Sequence, residues 1–490
     1  MSASLVQGTG LPAPGADSAV RYLPLRTGWP LSALLVLYPL WWALGLGTLI
    51  VFLLAVPMAW HLLRRRPVAT PPGFGLWLLF LGWVLASTTM LGSDPPNLLP
   101  GHASDRVLSV AFNTAGYFAA TVILLYAGNL REHEYPRRRL MRHLSWFFVM
   151  VVVGGIAGTF LPRFEFTSLT ELLLPTSMTR NGFVQSLVHP SAAQLQEVLG
   201  YTAPRPSAPF GYTNTWGYAL ALLVGWFVVT HFGDSTPRRR AGAVLVLVAA
   251  AVPVVYSLNR GLWIGLGLVV LVTVVRLALR GRFAGLVALV LLICVVAVAV
   301  VASPLSAIVQ DRLDHQKSNG IRAFTIAETL EAVSYSPVLG FGSPRAARGG
   351  TNSIAIGQSS DCQKCGNPTI GSNGQLWLLL IGQGYVGAAL YVGFFVRSLW
   401  AYRRDRSPIG DAGLLAIGLP LFFMLVYNDL TMPLVFAFLS IALLWRNAGQ
   451  DDGNAVGRRA ATRALPAWSG PPSLPGPAPA SGIVPEGSRS

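Results

Sequence analysis

Charge is what this 490-residue sequence has least of. Only 11% of its residues are Asp, Glu, Lys or Arg, less than half of the roughly 25% usual in soluble globular domains. Lysine is nearly absent, with Lys317 and Lys364 the two examples, so almost all the positive charge is arginine. Cysteine is down to three residues, too few for a disulfide-stapled secreted domain. No G-x-x-x-x-G-K-[ST] loop occurs, which excludes an internal ATPase. The long polar segments hold no D-x-D, H-x-H or H-E-x-x-H pattern, so neither a metal nor a cofactor is expected. His189 and His315 are single and far apart in sequence. What is abundant is apolar length. The chain is 53% hydrophobic, collected in runs that reach the ~20 residues a helix needs to cross a bilayer. A soluble enzyme and a disordered chain are excluded. In a soluble protein the formal net charge of +16 would suggest nucleic acid. Here the arginines sit at the ends of apolar runs, where they report orientation in a lipid bilayer, and no nucleic-acid partner is expected.

The fold class expected is all-α, a polytopic bundle of about twelve transmembrane helices. Residues 1–29 are Gly-, Pro- and Ala-rich without a cleavable signal pattern and read as a cytoplasmic segment. Residues 31–63 are too long for one span and read as a tight hairpin broken near Gly45 and Gly47. Further spans are expected at 73–91, 106–128, 144–161, 213–232, 241–257, 261–275, 283–302, 375–396, 413–427 and 430–445. The membrane domain would then be 30–446, followed by a Pro/Gly/Ser/Arg-rich tail, 447–490, expected to be disordered. With both termini in the cytoplasm, the arginine clusters at 64–66, 131–142, 238–240, 276–282 and 397–406 all fall inside, as the positive-inside bias requires. The expected location is the inner membrane, multi-pass.

Two long polar segments, 162–212 and 303–374, then face outward, and loops of that length usually carry function. In the first, Ser191 and Gln194 read as a capping box opening a short helix, with Leu195, Val198 and Leu199 along one side and Gly200 at its end. In the second, 321–333 reads as a helix stopped by Ser336-Pro337. Cys362 and Cys365 form a lone C-x-x-C on the oxidising side and are expected to close a small disulfide; one such pair cannot complete a zinc site. Cys294 lies within an apolar run as filler.

Arg260 is the most informative single residue. It sits in a short outer turn against the positive-inside bias, and a charge near membrane depth is a functional hypothesis by default; the plain alternative is an arginine snorkelling to the headgroups. Arg322 lies on the expected helix of the second outer loop, where the plain alternative is a solvated side chain. Two arginines on one face suit a pyrophosphate, because guanidinium is planar, always charged and binds phosphate oxygens as a fork.

At these residues a resemblance emerges. Ser257-Leu258-Asn259-Arg260-Gly261-Leu262-Trp263 resembles the S-x-x-R-G-x-W signature of the O-antigen ligase and O-antigen polymerase family, bacterial membrane glycosyltransferases that use lipid-pyrophosphate-linked glycans. Upstream, Arg205-Pro206, Gly211 and Asn214 resemble the family's R-P-x-G-x-F-x-N-x-N stretch. Downstream, Arg322 and Pro337-Val338-Leu339-Gly340-Phe341-Gly342 are similar to its R…P-L-L-G-x-G segment. Asn373-Gly374-Gln375-Leu376-Trp377 and Gly384-Tyr385-Val386-Gly387 resemble its H-N-x-x-L…G-x-x-G segment. The resemblance runs from about Arg205 to Val396. One departure matters: Ser372 stands where the family has its proposed catalytic histidine, and a serine hydroxyl is no base near neutral pH. His315, Glu328 and Asp429 are possible substitutes.

The resemblance implies transfer of a glycan from a polyprenyl-pyrophosphate donor to a hydroxyl of a glycan, lipid or protein acceptor on the outer face. It implies Arg260 and Arg322 on the diphosphate, Ser372 and Asn373 at the acceptor, and Arg205, Asn214 and Asn259 in substrate binding. Two rival readings are a secondary transporter or flippase, against which stands the lack of any internal repeat or deep acidic residue, and a non-catalytic member with the family fold.

Overall fold

Backbone in hydrocarbon has no water to satisfy its N–H and C=O groups, so apolar runs close into helices. The computed structural model of the protein describes residues 27–463, apart from 181, 198–201, 234–235, 304, 315–316 and 349–366. The architecture is all-α. Each of the twelve apolar segments is helical. Eight helices among the described residues are long and apolar enough to cross a membrane, and Ile50–Arg64, Phe74–Met90 and Pro408–Phe423 are shorter apolar ones. The first apolar segment breaks where expected: Trp29–Val36 and Tyr38–Ala43 are followed by a turn with Gly45 at φ +77°, and Ile50–Arg64 returns.

The packed interior is built on aromatic rings. Trp77 lies 4.9 Å from Phe438, 5.3 Å from Phe394 and 5.7 Å from Tyr391, ring centre to ring centre. Its indole N–H donates to Thr121 Oγ1 at 2.7 Å, as a buried indole must. The chain divides after Arg446 into two units. The last helix, Met432–Arg463, runs on past that point.

The Gln375–Tyr402 helix is interrupted at Gly384, with φ +66° and ψ −171°. The Pro337–Gly342 segment lies along the interruption. Phe341 N–H donates to Ile381 O at 2.7 Å, Gly342 N–H to Gly382 O at 2.8 Å, and Tyr385 N–H to Pro337 O at 2.8 Å. Trp83 Nε1 donates to Gln383 O at 3.1 Å. The groups freed by the break are thereby paired again, the condition for irregular backbone at membrane depth. The approach is too close for side chains: a Cβ on Gly384 would meet Pro337 O and Val338 O at 2.6 Å.

The first long polar segment, 162–212, corrects the sequence reading. Short helices cover Leu169–Leu173, Thr176–Thr179 and Gly182–Val188, but Ala193–Glu197 is a strand, antiparallel to Thr202–Pro206 with Gln194 opposite Arg205. The capping box does not form, because Gln194 Oε1 accepts from Thr213 N–H instead, at 3.1 Å. Gln194 and Gln196 share the inward face of the strand, and Leu195 between them is 63% exposed. A polar face is the one used, so the apolar stripe was misleading; Val198, Leu199 and Gly200 lie outside the described residues. The second long polar segment, 303–374, contains the expected helix, Lys317–Tyr335, preceded by Leu305–Asp314.

Candidate functional site

The site begins at a strained turn. The Pro237–Tyr256 helix ends with Leu258 at φ +53°, left-handed, a conformation that costs a residue with a Cβ roughly 1–2 kcal/mol. Two guanidinium groups hold it. Arg205 Nε donates to Ser257 O at 2.6 Å, and Arg312 Nε to Leu258 O at 2.9 Å. Carbonyls at a helix C-terminus carry partial negative charge, which favours such partners. Asn259 then caps the next helix, Arg260–Leu279, accepting from Leu262 N–H at 3.3 Å. The same Oδ1 accepts from the Tyr427 hydroxyl, and Asn259 Nδ2 donates to Asn214 Oδ1 at 3.3 Å. Arg260 is thereby presented at the first position of a helix, and its Nη2 donates to the carbonyl of Arg312.

Arg205, Arg260, Arg312 and Arg322 form one charge cluster. Burial pushes the Arg312 guanidinium down to about 10, and the charges of Arg260 and Arg322 press in the same direction. Burial also brings Arg205 down to about 10; Tyr427 opposes that shift, and Arg312 and Arg322 add to it. Arg322 is lowered by burial, again with Tyr427 opposing. At about 10, Arg205 and Arg312 remain cationic at neutral pH. Like charges gathered at a helix N-terminus, where the dipole is also positive, make an environment for an anion.

Asn373 and Ser372 lie beside the helix that carries Arg322. Asn373 Nδ2 donates to Thr325 Oγ1 at 2.8 Å, and Thr325 Oγ1 donates to Arg322 O at 3.1 Å, one turn earlier in the Lys317–Tyr335 helix. Ser372 is exposed and its hydroxyl donates to Thr369 O at 2.5 Å. Asn428 Nδ2 donates to Ser372 O at 3.2 Å.

The seven residues expected at the site therefore lie along one set of hydrogen bonds and chain neighbours, Arg322 through its main-chain carbonyl. Arg205 and Asn259, 6% and 4% exposed, are engaged with the turn, whereas Arg260, Arg322 and Asn373 are half-buried. The expected Cys362–Cys365 disulfide and the candidate base His315 lie outside the described residues. Sequence reasoning missed Arg312 as a partner of Arg260; it placed the turn at Asn428-Asp429 between two apolar runs but missed the partners that Tyr427, Asn428 and Asp429 find there. Those three residues reach three elements: Tyr427 to Asn259, Asn428 to Ser372, and Asp429, whose N–H donates to Gln375 Oε1 at 3.0 Å. Their only sequence signal was a polar break between two apolar runs.

Residues 243–361 match a family model described as O-antigen ligase. The match contains the strained turn, Arg260, Arg312 and Arg322. No curated protein matches the chain.

Proposed function

We propose that this chain, a member of the O-antigen ligase family through residues 243–361 and a multi-pass membrane protein, moves a glycan from a polyprenyl-pyrophosphate donor to an acceptor hydroxyl at the outer face of the inner membrane. The observation that carries the reading is the convergence of Arg260 and Arg322 in one cluster, with Asn373 bonded to the Arg322 helix. In this reading the acceptor oxygen bonds to the anomeric carbon as the bond from that carbon to the diphosphate oxygen breaks. The electron pair leaves on the lipid diphosphate, where the two guanidinium forks stabilise it. Arg205, Asn214 and Asn259 support the turn that aims Arg260. Ser372 orients an acceptor, since its hydroxyl is already committed as a donor to Thr369 O.

The acceptor proton needs a base. Asp429 is 1% exposed and accepts from the Tyr391 hydroxyl, enclosed away from any acceptor. Glu328, half-buried on the Arg322 helix, is held above the usual carboxylate range by burial and by Glu331, which suits a proton acceptor nearer neutrality. The acceptor itself, a growing polysaccharide or a lipid or protein anchor, decides polymerase against ligase. A deletion strain that accumulates lipid-linked single repeat units indicates the first, and one that accumulates lipid-linked polymer the second.

Arg260→Ala and Arg322→Ala are each expected to remove most glycan transfer with expression and insertion intact, and Lys replacements to restore part of it, since a point charge does not reproduce a fork. Wild-type product in either Ala variant would sink the reading. One observation favours a transporter instead: an interrupted helix beside the buried Asp429 is a transporter-like pairing. The carbonyls of Ile381, Gly382 and Gln383 at that break already accept from Phe341, Gly342 and Trp83, which weighs against their serving as ion ligands. Translocation of a lipid-linked glycan in vesicles without a new glycosidic bond would reverse the order of the two readings.

A further inference from the structure

The four clustered arginines differ in what they hold. Arg205 serves the turn from one side, bonded to Ser257 O and to the Gln196 side chain. Arg312 is different. It is 5% exposed on the Leu305–Asp314 helix, and it engages the Arg260 segment twice. Its Nε donates to Leu258 O, two residues before Arg260, and its own carbonyl receives Arg260 Nη2. Rotation of the Arg260 fork is thereby limited from the helix that carries Arg312. Its charge also lies within reach of both Arg260 and Arg322. No short motif marks it: Asp311-Arg312-Leu313 is an unremarkable stretch of helix.

One fork is enough for a lone phosphate. A diphosphate presents two phosphoryl groups and more negative charge, so it rewards two forks held at fixed separation and a third charge between them. We propose that Arg312 is a positioning residue that sets the preference of this cluster for a diphosphate over a monophosphate, by restraining Arg260 and by adding its charge beside Arg260 and Arg322. The proposal rests on the reading of the cluster as a diphosphate site.

The test uses the full-length protein in detergent, with inorganic pyrophosphate and orthophosphate as probes in titration calorimetry. Wild type is expected to bind pyrophosphate at least about tenfold more tightly, the worth of one charge-assisted contact. Arg312→Gln should bring the ratio of the two affinities close to one. Arg312→Lys, which keeps the charge and loses the Nε bond to Leu258 O, should lower the ratio about threefold, an intermediate loss of restraint. Arg348→Gln, an exposed residue of the same loop, should leave it unchanged. A purely structural role for Arg312 would weaken both probes alike, and an unchanged ratio in Arg312→Gln with both affinities lowered, or with neither, overturns the proposal. Where Arg312→Gln is not monodisperse, Arg312→Lys decides, and a wild-type ratio there overturns it. A wild type with no preference for pyrophosphate removes the diphosphate reading itself, a different failure.

Discussion

The helices that flank the strained turn and those that pack beside it are built on opposite terms. In their most apolar stretches, 83% of Met432–Gly449 and 61% of the Gln375–Tyr402 helix are buried, against 22% of Pro237–Tyr256, 11% of Arg260–Leu279 and none of Phe283–Val301. The last is also the most apolar of the eight. Apolarity and burial therefore run in opposite directions, because lipid is as good a solvent for Leu and Val as a protein core. What distinguishes the packed side is polar and aromatic detail. Gln375 Nε2 donates to Tyr117 OH at 2.7 Å, and Trp226 Nε1 to Ser440 Oγ at 3.0 Å. The strained turn is where the two regimes meet: Arg260 starts a loosely packed helix, and Tyr427 from the packed side steadies the cap beside it.

The contrast breaks most severely at Gly384. Gly384→Val would place side-chain atoms on Pro337 O and Val338 O, already 2.6 Å from a Cβ, with φ in the region that L residues avoid. Loss of monodisperse protein on size exclusion is the expected outcome; normal recovery would show that the interruption is not needed.

A smaller effect separates the two sides directly. Phe438 is fully buried, with its ring 4.9 Å from that of Trp77 and 5.8 Å from that of Phe394. Phe438→Ala should cost roughly 3 kcal/mol, the low end for a buried Phe, since packing and cavity terms remain when the transfer term is weakened by lipid. Leu291→Ala, on a residue 60% exposed in Phe283–Val301, should change stability by no more than about 0.5 kcal/mol. Equal losses in an unfolding titration would mean that the outer helix is covered by something in the membrane.

The smallest effect is a slope. Burial raises the Asp429 carboxyl from 3.8 to about 7, partly offset by the Tyr391 and Tyr218 hydroxyls. The folded state keeps this proton where the unfolded state releases it. The resulting stability is fully present below the unfolded value and is lost as pH rises through about 7, following linkage. Asp429→Asn should flatten that fall. The difference between the two melting curves from pH 4 to 8 measures it, and parallel curves would show that Asp429 does not titrate there.

Much of this was legible before any coordinates. The apolar segments, the break near Gly45, the helix over 321–333 and the start of the Gln375 helix all follow from local composition and turn chemistry. Four stretches resembling one family pointed to Arg260, Arg322 and Asn373; the charges of the two arginines both reach Arg312, and Asn373 bonds to Thr325 one turn from Arg322. The strand at Ala193–Glu197 was not legible, because Gln194 and Gln196 are paired by Thr213 and Arg205 from elsewhere in the chain. The partners of Arg312, Tyr427 and Asn428 were invisible for the same reason. Each of the three acts through hydrogen bonds to residues far away in sequence.

The chain alone determined that it lives in a bilayer and that it is helical, and it singled out the short polar stretches that resemble one family. Hydropathy is summed over about twenty residues against a solvent that is the same along the whole segment, so local order suffices to read it. Tertiary structure alone decided that Leu258 is forced left-handed, that two arginines from separate loops hold it there, and that Arg260 opens onto a shared cluster. Those outcomes depend on register between distant segments, where a shift of a few ångströms replaces one hydrogen-bond partner with another or with none.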